Sequence, residues 1–321
     1  MSVTFSGAFT FSGGGLTLTI APPSEPTAGW FGGGYAFGGN RRSSVQRITY
    51  ATDTDIATDR GPLSSSRDGL AGAGTSNNGW FGGGYAPSGG GLVSTIDRIT
   101  YATDTATASV RGPLSLVRDV LAAFSDGTAY GWFAGGPASP TTSRIDRVTY
   151  VTDTGTASIR GPMSTPKAYV TATGNDTYGW IGGGAPPTVS TVQRITYATD
   201  TETASVRGPL SLARYSATGT GNSTNGWFAG AGGVPAGSGS LIDRIDYAND
   251  TTTASVRGPL TSSKYSMAAT SNNTDGWFAG GQTPTTSVVN RITFATDTNT
   301  ASIRGPLNEV RRTFGAAAGI Q

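Results

Sequence analysis

Arginine and aspartate stand at regular stations along this chain and are the obvious candidates for acid–base chemistry. An Arg-Ile-Thr-Tyr segment, with single replacements in some copies, starts at Arg47, Arg98, Arg147, Arg194, Arg244 and Arg291. Three residues after its aromatic comes Asp53, Asp104, Asp153, Asp200, Asp250 or Asp297. An Arg-Gly-Pro follows at Arg60, Arg111, Arg160, Arg207, Arg257 and Arg304. A second basic residue comes seven positions later, at Arg67, Arg118, Lys167, Arg214, Lys264 and Arg311. Catalysis needs one asymmetric cluster in which acid and base have different surroundings. Six equivalent copies of one charge pattern point instead to structure. On this reading Arg47 bonds the carbonyls of a neighbouring copy or Asp53, and Asp53 caps the turn around residues 52–54.

Other chemistries are thinner still. Cysteine and histidine are both absent, which removes thiol nucleophiles, imidazole bases, disulfides and nearly every zinc site. Each Thr-Asp-Thr turn offers one carboxylate, doubled only at Asp53 and Asp55, while calcium takes six to eight oxygens. The runs Gly32-Gly33-Gly34 and Gly82-Gly83-Gly84 lack the lysine and following helix of a phosphate loop. No catalytic residue, metal or cofactor is expected.

The element that must position these residues is a repeat. The six tryptophans are Trp30, Trp80, Trp132, Trp180, Trp227 and Trp277, at near-equal steps. A period of this size means one supersecondary unit copied along the chain, each burying its apolar face on the next. The 321 residues include 49 glycines and only 13% charged residues, a composition suited to short strands and tight turns. Net charge is +2, too small a field to mark nucleic acid as the partner. Residues 1–11 lack the basic region and continuous apolar core of a secretory signal. No apolar run is long enough for a membrane span.

Four strands are expected per unit. They fall at residues 29–34, at 47–52 with period-two alternation, at 57–63 up to Gly61-Pro62, and at 67–75, with small residues in the last. Six such units describe an all-β, six-bladed β-propeller of residues 29–321. The first unit begins at its second strand, and the tail after Arg304 matches the missing one. That C-terminal strand should pair with residues 29–62 and close the ring, removing two open edges.

The unit resembles a kelch repeat, whose blades carry a basic residue before the first strand, a double glycine ending the second and a tyrosine on the third. Arg214, Gly232-Gly233 (displaced by Gly230-Ala231) and Tyr247 are the matching residues. The usual kelch tryptophan opens the fourth strand, whereas here it lies on the second. The resemblance implies a fold and no single activity. Sialidases are also six-bladed and use an arginine triad, a tyrosine nucleophile and carboxylates. The turns 125–127 and 175–177 are only loosely similar to the Asp-box turns of that family, and no arginine set leaves the repeat as a triad would.

Residues 1–28 stand outside the repeat. Val3, Phe5, Phe9 and Phe11, then Leu16, Leu18 and Ile20, alternate with small or polar residues around Gly13-Gly14-Gly15, the pattern of a β-hairpin. Prolines 22, 23 and 26 make a semi-rigid spacer. A lone hairpin is marginal in water, so this segment is expected to anchor the chain to another protein.

Length varies chiefly in the connections between the tryptophan strand and the Arg-Ile-Thr-Tyr strand, at 35–46, 85–97, 137–146, 185–193, 231–243 and 282–290, while the rest of the repeat barely changes. Variation on one face of a rigid scaffold marks recognition. Tyr35, Phe37, Arg41, Arg42 and Tyr85 give the first two loops the strongest binding chemistry.

The near-identical copies, exemplified by residues 99–114, are similar to repeat proteins in the virions of tailed phages of marine bacteria. That resemblance implies a non-enzymatic fibre, spike or capsid decoration on the particle surface. Residues 1–28 would hold it to other virion proteins, and its variable face would engage a host surface glycan or protein. The alternatives from other classes are a sialidase-like glycan-processing enzyme and a purely structural spacer.

Overall fold

The computed structural model describes residues 26–318, apart from 37, 88–89 and 138–140, together with the backbone of 9–12 and 15–18. Six four-stranded antiparallel sheets form a β-propeller. Blade 1 consists of Gly315–Ala317, Ala28–Gly32, Val45–Thr49 and Thr58–Arg60, from the axis outward. Blade 2 is built of Ala71–Gly74, Asn78–Gly82, Ile96–Thr100 and Ser109–Arg111, and blades 3 to 6 repeat this order. The C-terminal strand pairs with Ala28–Gly32 as expected, with Trp30 opposite Ala317, so one blade is shared by both ends of the ring. Phe9–Ser12 and Gly15–Leu18 form the expected hairpin, with Phe9 opposite Leu18 and Phe11 opposite Leu16.

Element limits shift from the sequence expectation in consistent ways. The third strand starts at Val45 and stops at Thr49, and Tyr50–Thr52 forms a 3-10 turn. The outer strand keeps only Thr58–Arg60 of 57–63, and the inner strand only Ala71–Gly74 of 67–75. Residues 61–70 leave the sheet and bond both to the loop 42–43 of their own blade and to the neighbouring blade, at Asp104 and Tyr85.

Both faces of each middle strand are buried, which explains the Trp-Phe pairs. Period-two geometry sends adjacent side chains to opposite faces. Trp30 therefore packs with Phe81, Ile99 and Tyr101 of blade 2. Phe31 packs backwards with Trp277 and Phe314. The core is thus six layers between sheets, and each tryptophan stacks on the aromatic of the following blade. Trp30 lies 3.6 Å from Tyr101 and Trp277 lies 3.9 Å from Tyr50, ring centre to ring centre.

The repeated charges hold these seams. Trp30 is the register partner of Arg47, so both side chains leave the same side of the sheet and meet Asp104 of blade 2. Trp30 Nε1 donates to Asp104 Oδ2 at 2.8 Å, Arg47 Nη1 at 3.2 Å, and Arg60 Nε lies 3.4 Å away. The same set recurs at Asp153, Asp200, Asp250 and Asp297, and at Asp53, where it joins blade 6 to blade 1. This corrects the expectation for Arg47 and Asp53. Arg47 reaches Asp104, and the Asp53 carboxylate serves the preceding blade and does not cap its own turn. Arg-Gly-Pro completes the seam. Gly61 N–H donates to the Asp104 carbonyl at 2.7 Å, and a Cβ there would stand 1.8 Å from the Ala106 oxygen.

The second basic residue is buried at every station. Arg67, Arg118 and Arg214 meet Asp97, Asp146 and Asp243 at 2.8–2.9 Å. Burial pushes these three guanidinium pKa values down, and the partner aspartates pull them back. A neutral amide faces the base in three blades, and in two of them the base is lysine. Lys264 donates to Asn290, and Lys167 donates to the carbonyls of Pro186 and Pro187 in the blade that carries Gln193. Arg311 faces Gln46 and takes its carboxylate from nearby Glu309. A buried charge without a partner is costly, and each of the six bases has an acceptor: a facing carboxylate, a facing amide, backbone carbonyls, or Glu309.

Candidate functional site

The antiparallel order gives the propeller two unlike faces. Inner strands run away from the variable loops and second strands run back towards them. The variable loops therefore share one face with the segments that link blades, such as 61–70. The turns 50–57 and 75–78 lie on the other. Residue 26 enters blade 1 from that second face, where the Thr27 carbonyl accepts from Tyr50 N–H, and the inner strand ends there at Ala317.

On the variable face the six linking segments meet around the axis. Gly69 N–H donates to the Thr313 carbonyl, Thr313 to Ser266, Ser266 to Ser216, Ser216 to Tyr169, Tyr169 to Val120, and Val120 to Gly69, at 2.6–3.0 Å. The result is a closed circle of six hydrogen bonds. Val120, Tyr169, Ser216, Ser266 and Thr313 all hold positive φ, between 39° and 56°, as does Gly69 at 69°. Such a backbone is strained for a β-branched residue, and the circle and its neighbours hold it there. A small cavity of about 70 Å³ is lined by the circle itself and the residues that follow it, and two of about 110 and 80 Å³ lie along the axis, lined largely by Gly, Ala, Thr and Ser of the inner strands. No carboxylate or basic side chain lines them. Their volumes suit a few water molecules and are too small for a sugar ring.

Chemistry sits just outside this circle and breaks the sixfold symmetry. Three of the five candidate binding residues come together there. The Arg41 guanidinium lies 4.5 Å from the Tyr85 ring centre and 5.4 Å from that of Tyr35, and it pairs with Asp68. Arg312 covers Tyr35 at 4.8 Å and donates to Gln282. Cation and ring are thus layered across the blade 1–blade 2 junction, with Tyr85 37% exposed. Arg42 is elsewhere. Its Nε donates to Glu309 at 2.8 Å, and Ser44 shares that carboxylate, clipping the two ends of the ring together. Burial works to raise the Glu309 carboxyl, but Arg42 and Arg311 hold it below the usual range. Phe37 lies outside the described residues.

Asp68, Asp119, Tyr169, Tyr215 and Arg312 join this surface and were not singled out in the sequence. A signal did exist. Directly after the buried basic residue the slot reads Asp68, Asp119, Ala168, Tyr215, Tyr265 and Arg312, which varies inside a constant frame. Asp119 lies against Gly69 on the neighbouring segment. Burial, with the Asp68 charge, pushes its carboxyl up to about 6. Tyr169, 40% exposed, and Tyr215 stand 5.7 Å apart with rings tilted by 57°. Tyr215 lies over Gly232 and Gly233, where a Cβ would come within 2.7 Å of its ring. Those glycines therefore seat a tyrosine and are not the displaced double glycine of a strand end. In their blade Gly230 and Ala231 make the strand-end hydrogen bonds that the paired glycines make elsewhere.

Among the described residues no group of three or more His, Cys, Asp or Glu is placed to hold a metal ion. No described helix is long and apolar enough to cross a membrane. No protein-family model matches the sequence, and no curated protein matches it. Solved structures do match, 406 chains in all. One, described as "Structure of YjhT", superposes with a TM-score of 0.64 at 12% identity over 82% of this chain and 91% of its own. At that identity the likeness is one of fold, and it shows this chain to be a six-bladed β-propeller.

Proposed function

We propose that the chain is a non-enzymatic binding propeller of a virion surface, a fibre, spike or capsid decoration. Residues 1–28 attach it to other virion proteins, and the variable-loop face recognises a host surface glycan or protein. The observation that carries this reading is the layered Tyr35–Arg41–Tyr85 group with Asp68 and Arg312. The arginines and aromatics of the blade seams recur in every blade, whereas these are unrepeated and partly exposed. Polarity supports it too, because residue 26 enters blade 1 from the face opposite the variable loops. Deleting residues 1–25 should leave a folded ring that no longer incorporates into its particle. Normal incorporation would count against the anchor.

One observation favours a second reading, a glycan-processing enzyme. Asp68 and Asp119 are neighbouring carboxyls, and Asp119 is raised to about 6, the behaviour of a general acid. Turnover of a glycoside panel, lost in Asp119→Asn, would establish that reading. Absence of turnover keeps the carboxyl as a binding group.

A further inference from the structure

We propose that Asp119, Tyr169 and Tyr215 form a subsite at the rim of the axial opening that accepts a protonated amine, in the first place the ammonium group of an amino sugar. The inference rests on reading the variable face as a recognition surface and names the chemistry recognised there.

Gly69 provides the first observation. The five other members of the hydrogen-bonded circle adopt positive φ without being glycine. Backbone conformation alone therefore does not explain a glycine at this station. Space does: a Cβ on Gly69 would lie 2.9 Å from Asp119 Cβ and 3.3 Å from its Oδ2. The one missing side chain in the circle leaves room for the Asp119 carboxyl.

Charge provides the second. Asp68 is paired with Arg41, and Glu309 with Arg42 and Arg311. Asp119 has no ion-pair partner among the described residues, and Arg41 acts on it only as the smallest of its influences. The titratable and charged groups around it are Asp68 and Arg41 on one side and Tyr169 on the other. An anion is repelled by two carboxyls there, and a neutral hydroxyl leaves the charge uncompensated. A cation relieves both the repulsion and the desolvation.

The third is the aromatic pair. Tyr169 feels the charge of that carboxyl and is inclined by 57° to Tyr215 at 5.7 Å, and ring faces attract ammonium groups. An amino sugar matches both parts: the N–H groups donate to the carboxylate and the apolar face of the ring rests on tyrosine. A quaternary ammonium would use the rings alone.

The test is calorimetric titration of the full chain with a β-1,4-glucosamine tetramer, its N-acetylated counterpart and choline. The expected result is binding of the amine at pH 7 at least tenfold tighter than the N-acetyl form. That preference should vanish in Asp119→Asn and weaken on going from pH 7 to pH 5 in the native chain only. Binding of choline that survives Asp119→Asn but is lost in Tyr169→Ala would identify a quaternary ammonium source for the same subsite. Equal binding of amine and N-acetyl forms, or no binding of any of the three, overturns the proposal. If the glucosamine tetramer is held by Tyr35 and Tyr85 while Asp119→Asn changes nothing, the subsite is refuted and the recognition face stands.

Discussion

Trp277 donates its indole N–H to Asp53 Oδ2 at 2.8 Å, although 224 residues separate the two in sequence. This bond, with Arg291 and Arg304 on the same carboxylate, fastens the last blade to the first. It repeats the clasp found at the five internal seams, so the ring has no weak joint in its electrostatics.

Asp53→Asn keeps the shape and removes the charge, leaving Arg291 and Arg304 against a neutral amide. Breaking one partner of a largely buried ion cluster costs about 3 kcal/mol. Denaturant unfolding should show that loss, and Asp153→Asn at an internal seam should show a similar one. A change below about 1 kcal/mol at both sites would mean that stacking alone holds the blades.

The exchange of base with facing residue can be reproduced in one blade. Asp97→Asn strands the buried Arg67 and should cost about 3 kcal/mol. Adding Arg67→Lys, which recreates the Lys264–Asn290 pairing, should recover at least 1 kcal/mol in a double-mutant cycle. Strict additivity would show that the pairing across blades is coincidental.

Two glycines make a steric contrast. Gly61→Ala drives a methyl group onto the Ala106 carbonyl of the next blade and should destabilise by 3 kcal/mol or more, or prevent folding. Gly155 has nothing within 4 Å of its would-be Cβ and no positive φ. Gly155→Ala should be neutral or stabilise by up to about 1 kcal/mol through the unfolded chain. Thermal melts of the two proteins suffice.

Asp119 links stability to pH. Its folded pKa of about 6 lies above the ordinary 3.8, so the folded state holds the proton more tightly than the unfolded chain. The stabilisation is complete below about 4 and is lost as pH rises through about 6. Asp119→Asn should therefore raise stability at pH 7 by about 1 kcal/mol, a figure reduced for partial solvation. It should change nothing at pH 4. A lower melting temperature at pH 7 would refute the assignment.

Ring, blade number and closure were legible from the phase of six tryptophans, because a period is visible without knowing any contact. The partners of the repeated charges were not. Asp53 stands beside Arg47 and Arg60 in sequence, yet all its donors come from the preceding blade, and no single copy shows that. The surface proposed for recognition was half legible. Tyr35, Arg41 and Tyr85 stood out because loop length varies around them. Asp119 and Tyr169 were hidden because they occupy slots of constant spacing, where only residue type varies. The left-handed turns at Val120 and Thr313 had no signal at all, since β-branched residues rarely adopt them and tertiary hydrogen bonds impose them here.

The central claim is that recognition belongs to the variable-loop face. It is tested most directly by measuring adsorption of the purified chain to an array of bacterial surface polysaccharides and to intact cells. The native protein is compared with Tyr35→Ala/Tyr85→Ala and with Asp176→Ala on the opposite face. Folding of each is checked by its melt. At least a tenfold loss for the tyrosine pair and none for Asp176→Ala is the predicted result. Equal adsorption by all three, or a loss confined to Asp176→Ala, would contradict it.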